Sequence, residues 1–136
     1  MTPDAAIAVP FYNNDVLMLR RRPDDRTITG VCFPGGTHEE GESYEDTALR
    51  ELLEETSLVG VIRKRAANAY YTGRDGELHL LAVFIVDVST QIVTLSDEHT
   101  DYYWVPTDLA GAATRKVLED QWSIRRVNDP RRIPGA

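Results

Sequence analysis

The alternation of apolar and polar residues along the chain predicts a protein rich in β-strands. Residues 5–9 and 16–20 have strand-like composition, and Asn13, Asn14 and Asp15 between them favour a hairpin turn. Further strands are predicted at 31–33, 59–65, 67–72, 78–88 and 102–105. The stretch 78–88 is strongly apolar, which is typical of a central strand.

A helix is predicted over residues 44–56, which contain neither glycine nor proline. Ser43, with Asp46 three residues later, is typical of a helix start. At about 100° per residue, three leucines fall on one side of this helix and three glutamates fall opposite. The leucines are Leu49, Leu52 and Leu53, and the glutamates are Glu51, Glu54 and Glu55. We therefore expect one packing face and one face that displays three carboxylates.

The connections suggest one continuous domain. Pro34, Gly35 and Gly36 are expected to stop regular strand pairing and to bend the backbone before the helix. Helical structure is expected to start at residues 106–109, a second helix is predicted over 114–122, and later prolines favour an irregular end. Because the sequence contains no repeat and no low-complexity linker, we expect all 136 residues to form a single domain.

The net charge of −7 is concentrated in one short segment. Residues 36–58 carry eight acidic side chains and one basic side chain, whereas the other 113 residues carry 14 of each. Residues 111–136 hold six bases and three acids. Without a broad basic surface, binding to duplex nucleic acid has little electrostatic support, so no nucleic-acid partner is expected.

The rest of the sequence bears on the expected location of the protein and on its possible disulfide and metal sites. The longest mainly apolar run is too short to span a bilayer, and the first residues lack the pattern of a signal peptide. A cytoplasmic protein without a membrane partner is therefore expected. The lone Cys32 is interpreted as a small buried side chain that forms no internal disulfide. His38, His79 and His99 show no metal-ligand spacing and are interpreted as structural or surface residues.

The glutamate face of the predicted helix is a candidate metal site. Like charges four residues apart, such as Glu51 and Glu55, cost about 0.2–0.5 kcal/mol. Arg50 can pair with Glu54, which leaves the other two glutamates without a local countercharge. Magnesium binds through a few carboxylates together with substrate phosphates. The alternative is a solvated acidic helix face.

Residues 36–58 resemble the signature motif of the Nudix family. Its pattern is Gly, five residues, Glu, seven residues, Arg-Glu-aliphatic-any-Glu-Glu-any-Gly-aliphatic. The matching residues are Gly36, Glu42, Arg50, Glu51, Leu52, Glu54, Glu55 and Leu58. Ser57 departs from the pattern, because the family has glycine there for a left-handed helix exit. The flanking Arg20, Arg21, Phe33 and Glu98 resemble the MutT-like branch, with Val31 in place of a usual tryptophan. The resemblance covers roughly residues 5–110, and the last 26 residues are divergent.

This resemblance implies an α/β fold, namely an α/β/α sandwich with a mixed sheet, and a cofactor of Mg²⁺ or Mn²⁺. The implied metal ligands are the Gly35 carbonyl and the carboxylates of Glu51, Glu54, Glu55 and Glu98. Arg50 would orient the glutamates, and Arg20 and Arg21 would contact substrate phosphates. Glu51 is favoured over Glu98 as the general base. Glu42 is expected to support the loop before the helix rather than to bind metal.

The same resemblance implies hydrolysis of a nucleoside diphosphate linked to another group. The favoured small-molecule substrate is a nucleoside triphosphate, which would be cleaved to a nucleoside monophosphate and pyrophosphate. A nucleotide-sugar or another nucleoside diphosphate derivative is the alternative substrate. A binding-only nucleotide sensor is disfavoured because Glu51, Glu54 and Glu55 are all present. Many relatives form dimers, so a homodimer is an open expectation.

Overall fold

The computed structural model describes residues 2–23, 31–72 and 76–107, in which a mixed β-sheet packs against a helix. The helix is α1 (Tyr44–Thr56). The strands are β1 (Ala5–Tyr12), β2 (Asp15–Arg21), β3 (Val31–Cys32), β4 (Gly35–Thr37), β5 (Gly60–Arg65), β6 (Ala69–Thr72), β7 (Leu78–Val88) and β8 (His99–Pro106). The α/β fold class with a mixed sheet is confirmed.

The sheet is organised around β1 and β7, which run parallel to each other. The main strand order is β3-β2-β1-β7-β5, and β6 also pairs with β7, β8 with β2, and β4 with β1. These other pairings are antiparallel. The central position predicted for residues 78–88 is confirmed, since β7 pairs with β1 on one side and with β5 and β6 on the other.

The expected hairpin joins β1 and β2. Tyr12 pairs with Asp15, which leaves Asn13 and Asn14 as a two-residue turn. Asn13 has a φ of 51°, a left-handed conformation that asparagine tolerates better than most residues. The turn chemistry read from the sequence therefore sets the strand register here.

The predicted stop in strand pairing and bend are found at Pro34, between β3 and β4, but the prediction is wrong for Gly35 and Gly36. Gly35 and Gly36 lie in β4, where they pair with Ile7 and Ala6 of β1. A Cβ atom on Gly35 would come within 2.6 Å of the Ala6 carbonyl oxygen. The missing side chain thus allows β4 to approach β1 closely, so glycine permits pairing at this position rather than preventing it.

Both faces of β1 are buried, so its alternating side chains enter two different apolar clusters. Ala6 and Ala8 belong to the apolar cluster that includes Leu52 of α1. Ile7 and Val9 belong to the cluster on the other face, with Phe33. The second helix predicted over 114–122 lies outside the described residues, as does the predicted irregular end.

The helix has the predicted bounds, but its buried face is rotated from the predicted one. Leu52 is fully buried, Leu53 is 50% exposed, and Glu55 is only 3% exposed. The expectation that one face packs while the other displays three carboxylates is therefore wrong for Leu53 and Glu55. The helix packs with Glu55 turned inward, which places one carboxylate of the motif beneath the protein surface.

The chain leaves the described region at the end of β8. Pro106 ends this strand, so the predicted helical start at 106–109 is wrong for its first residue, and residues 108 and 109 lie outside the described residues. The strands expected at 59–65, 67–72 and 102–105 are found with shifted ends. Within the described ranges, no helix has the length and apolar character needed to cross a membrane.

Candidate active site

The start of α1 is held by Ser43 and Glu42. The Ser43 hydroxyl accepts a hydrogen bond from the Asp46 N–H at 3.0 Å, which caps the helix as predicted. Glu42 accepts from the Thr47 hydroxyl at 2.7 Å and from two guanidinium nitrogens of Arg50 at 2.8 and 3.0 Å. These bonds, first of all that from Arg50, lower the pKa of Glu42 to about 2. These contacts give Glu42 the expected role of holding the loop to the helix, whereas its exclusion from metal binding stays a prediction.

Arg50 connects the loop to the glutamates of the helix. Its Nη1 atom lies 3.0 Å from Glu51 and 3.4 Å from Glu54, and its Nη2 atom donates to the Thr37 carbonyl at 3.2 Å. The expectation that Glu51 lacks a local countercharge is therefore wrong. Because a guanidinium has five donors in a rigid fork, Arg50 can orient several carboxylates at once.

The carboxylate of Glu51 lies directly over the backbone of Gly36. A Cβ atom on Gly36 would fall within 2.5 Å of the Glu51 Cδ atom, so an alanine there would displace the carboxylate. Burial raises the pKa of Glu51, while the neighbouring Arg50 acts in the opposite direction. Glu54 differs from Glu51, since its side chain is more than half exposed beside Arg50.

Glu55 is the buried acid of the site. Its Oε1 atom accepts a hydrogen bond from the Gly35 N–H at 3.1 Å. Burial raises the pKa of Glu55 to about 9, helped by the charges of Glu51 and Glu98 and opposed by the Gly35 bond. In the protein without a bound cation, this carboxyl group therefore holds a proton at neutral pH.

The loop between β7 and β8 places Glu98 beside Glu55. The Thr94 and Ser96 N–H groups donate to the carbonyls of Thr56 and Glu55, so the loop satisfies backbone acceptors at the end of α1. The Glu98 carbonyl in turn accepts from the Arg22 N–H at 2.8 Å. These backbone bonds tie two distant segments together and explain how residue 98 reaches the helix.

Ser57 takes the left-handed conformation expected of the glycine that it replaces. Its φ is 64°, and its N–H donates to the Leu53 carbonyl at 2.9 Å. The helix thus ends as the motif requires, and the serine is held in a backbone region that favours glycine.

A cleft of about 530 Å³ lies between β4, the helix and the β7–β8 loop. The cleft brings together five of the site residues predicted from the sequence. They are Glu51, Glu55, Glu98, Gly35 and Arg21. Its volume is in the range of small-molecule sites.

Besides Arg50, two other predicted site residues lie apart from the lining of this cleft. Arg20 lies next to Arg21 in β2, and its Nε atom donates to the Tyr103 hydroxyl at 3.1 Å. Glu54 stays on the exposed side of Arg50. Neither residue is among those that line the cleft. A ligand would therefore have to extend beyond the cleft lining to contact Arg20 or Glu54.

His99 and Cys32 also line the cleft, and sequence reasoning missed the position of His99. The imidazole is 3% exposed, and a ring nitrogen lies within 4.8 Å of carboxylate oxygens of Glu55 and Glu98. Burial, with the nearby charge of Arg21, lowers the pKa of His99 to about 4, and burial raises the pKa of Cys32 to about 12. The sequence offers one indication of this position, because His99 directly follows Glu98. The distances along the chain to the other histidines give no such indication.

The fold and the cleft together define an α/β domain whose site is built from the carboxylates of one helix and one loop. The family model of the NUDIX domain matches residues 1–126. The chain belongs to the Nudix family, and it is a Nudix hydrolase domain.

Individual relatives agree with this placement. An ADP-ribose pyrophosphatase from Methanocaldococcus jannaschii is 34% identical over 79 residues, which span 56% of this chain and 45% of that protein. The alignment thus covers less than half the length of this relative.

Solved structures share the fold. A NUDIX hydrolase from Nitrosomonas europaea has a TM-score of 0.67 at 22% identity and covers 98% of this chain and 93% of its own. A MutT protein from Methanosarcina mazei Go1 has a TM-score of 0.66 at 26% identity and covers 92% and 94%. The MutT-like resemblance is confirmed by these neighbours.

Proposed function

We propose that this protein is a divalent-metal-dependent pyrophosphohydrolase that cleaves a nucleoside triphosphate to a nucleoside monophosphate and pyrophosphate. The observation that carries the proposal is the convergence of Glu51, Glu55 and Glu98 on one cleft, beside the close β4 backbone. Three carboxylates without bound cations would repel a polyphosphate. The same carboxylates with cations would attract it.

The donor set fits Mg²⁺ or Mn²⁺. Carboxylate oxygens are the ligands that these cations prefer, and the buried Glu55 carboxyl is deprotonated at neutral pH only if a positive charge stabilises it. Glu51, Glu54, Glu55, Glu98 and the Gly35 carbonyl are the proposed ligands. A bound cation would neutralise phosphate charge and lower the barrier to attack by water.

The residues of the chain have separate tasks in this proposal. Arg50 fixes Glu51 by an ion pair, and the Gly35 N–H orients Glu55. Glu51 accepts the proton of the attacking water, with Glu98 in the β7–β8 loop as the alternative base. Arg21 contacts the substrate phosphates from within the cleft, and Arg20 contacts them from the adjacent position on β2.

A second substrate class is supported by the alignment to an ADP-ribose pyrophosphatase. A nucleoside diphosphate joined to a sugar presents the same pyrophosphate group to the carboxylates. It differs only in what lies beyond the second phosphate. A binding-only sensor remains disfavoured, because all three motif glutamates are retained.

Phosphorus NMR of a substrate panel tests the proposal. The panel contains nucleoside triphosphates, ADP-ribose, a nucleotide sugar and a dinucleoside tetraphosphate, each with and without Mg²⁺ or Mn²⁺. We expect metal-dependent release of a nucleoside monophosphate, with pyrophosphate as the second product from the triphosphates. Oxygen-18 water would identify the phosphorus attacked. Unchanged phosphorus spectra for the whole panel would overturn the proposal.

Three wider expectations also belong to this proposal. The full length of 136 residues forms one Nudix domain, the protein acts in the cytoplasm, and its oligomeric state is open between a monomer and a homodimer. Size-exclusion chromatography with light scattering tests the last of these, because a dimer has twice the 15.3 kDa mass of the chain.

A further inference from the structure

We propose that His99 supplies a nitrogen ligand next to Glu55 and Glu98, and that these three side chains bind a transition-metal ion such as Zn²⁺. The inference rests on the proposed function only in that the two glutamates belong to both sites. It adds a ligand type, and therefore a metal preference, that the carboxylate motif does not provide.

The geometry places the three donors on one side of the cleft. One oxygen from each glutamate and one ring nitrogen of His99 lie within 4.8 Å of one another. Tetrahedral ligands at about 2.0–2.1 Å from a Zn²⁺ ion lie about 3.3–3.4 Å from one another. The donor atoms therefore need to approach one another by at most about 1.5 Å, and Glu98 is exposed and able to move.

The unpartnered nitrogen of His99 is the second observation. Its Nδ1 atom is buried and has no hydrogen-bond partner among the residues that the structure describes. Buried polar atoms nearly always have a partner, so an unpartnered nitrogen on a ring that lies close to two carboxylates needs an explanation. A metal ion would satisfy this nitrogen and the two carboxylates together.

Cys32 orients the imidazole for this role. Its Sγ atom lies 3.7 Å from the His99 Nε2 atom. In the tautomer that donates its Nε2–H to the sulfur, the lone pair is on Nδ1. Hydrogen bonding at one ring nitrogen commonly decides which nitrogen binds metal.

The nitrogen ligand changes which ions the site favours. Imidazole suits zinc and the later transition metals, whereas magnesium prefers an all-oxygen shell and keeps several waters. A site of two carboxylates and one imidazole leaves a coordination position open for water or phosphate, as in catalytic zinc sites. We therefore expect the His99 imidazole to strengthen Zn²⁺ binding. We expect its removal to change the Mg²⁺ affinity by no more than about twofold.

Isothermal titration with Zn²⁺ and with Mg²⁺ tests the inference on the full chain. Replacing a partner that only orients a metal ligand costs about 10–100-fold in affinity, so we expect His99→Phe to weaken Zn²⁺ binding at least tenfold. His79→Phe is the matched control, because it removes another of the three imidazoles and does not line the cleft. Equal Zn²⁺ affinity of wild type and His99→Phe, or an equal loss in His79→Phe, would overturn the inference.

A measurement on the wild type keeps the test independent of how the variants fold. Long-range ¹H–¹⁵N spectra resolve the ring nitrogens of the three histidines. Zn²⁺ should shift the His99 Nδ1 resonance and leave its Nε2 protonated, and an unshifted His99 would overturn the inference. Hydrolysis is measured separately: magnesium-dependent turnover without His99 coordination contradicts this inference alone, and His99 coordination without turnover contradicts the proposed function alone.

Discussion

Glu55→Gln is predicted to stabilise the metal-free protein at alkaline pH while removing one of its proposed metal ligands. Glu55 is almost fully buried, and its pKa of about 9 lies well above the ordinary value of 4.5. Glutamine resembles the protonated acid, can still accept the Gly35 N–H bond, and never has to carry a charge in the interior. Under the proposed function, the wild type bears that cost because the carboxylate is needed for a cation.

The sign and size follow from proton linkage. Between pH 4.5 and 9 the folded protein holds a proton on Glu55 that the unfolded chain releases, so wild-type stability falls as pH rises. At pH 8 this linkage amounts to at most about 5 kcal/mol, and after allowance for relaxation of the site we expect about 2–3 kcal/mol. At pH 5 the linkage is below about 1 kcal/mol.

Thermal unfolding in EDTA at pH 5 and pH 8 is the assay. At about 3–5 °C per kcal/mol for a chain of this size, Glu55→Gln should melt roughly 6–15 °C above wild type at pH 8 and close to it at pH 5. The exposed Glu40→Gln removes the same charge and should change neither value by more than about 2 °C. A variant that is less stable than wild type at pH 8, or an equal difference at both pH values, would refute the reasoning.

Three further substitutions test particular contacts. Ser57→Gly should raise the free energy of unfolding by about 0.5–1 kcal/mol in urea titrations, because glycine relieves the φ of 64°. Gly36→Ala should displace the Glu51 carboxylate and weaken Mg²⁺ binding at least about tenfold by calorimetry, with unfolding changed by about 1 kcal/mol or less because the clash falls on a flexible side chain. Arg21→Ala should raise the KM for the preferred nucleotide about tenfold with a smaller effect on kcat, and Arg20→Ala should have the weaker effect in steady-state assays.

Each of these predictions has a clear contrary result. A destabilised Ser57→Gly would mean that the 3.4 Å contact of the serine hydroxyl with the Thr94 carbonyl outweighs the backbone cost. Unchanged Mg²⁺ binding in Gly36→Ala would remove Glu51 from the metal site. A larger effect from Arg20 than from Arg21 would mean that substrate phosphates lie outside the cleft described above.

Local signals in the sequence were sufficient for α1 and β7, whose bounds match the prediction. Ser43 and an uninterrupted run of helix formers define the helix, and a long apolar stretch defines the strand. The orientation of α1 was not predictable in the same way. Periodicity assigns the buried face to leucines, whereas the packed helix buries Glu55 and exposes Leu53, because the loop before β8 covers one side of its last turn.

Only the part of the site that lies within one segment of the chain was predictable from the sequence. The spacing of Glu51, Glu54 and Glu55 is visible in the sequence. The position of His99 depends instead on backbone bonds that join the loop before β8 to the end of α1. Pairing of Gly35 with β1 is not visible in the sequence for a similar reason, since paired glycines favour a break in a strand and the close approach of two strands is a tertiary contact.

The most direct test of the central claim is a comparison of wild type and Glu55→Gln by phosphorus NMR at saturating Mg²⁺. The substrate is whichever member of the panel the wild type cleaves fastest. We predict metal-dependent release of a nucleoside monophosphate by the wild type and a loss of at least about a hundredfold in rate for the variant. Equal rates for the two proteins would contradict the assignment of Glu55 to the metal site, and with it the mechanism proposed for this cleft.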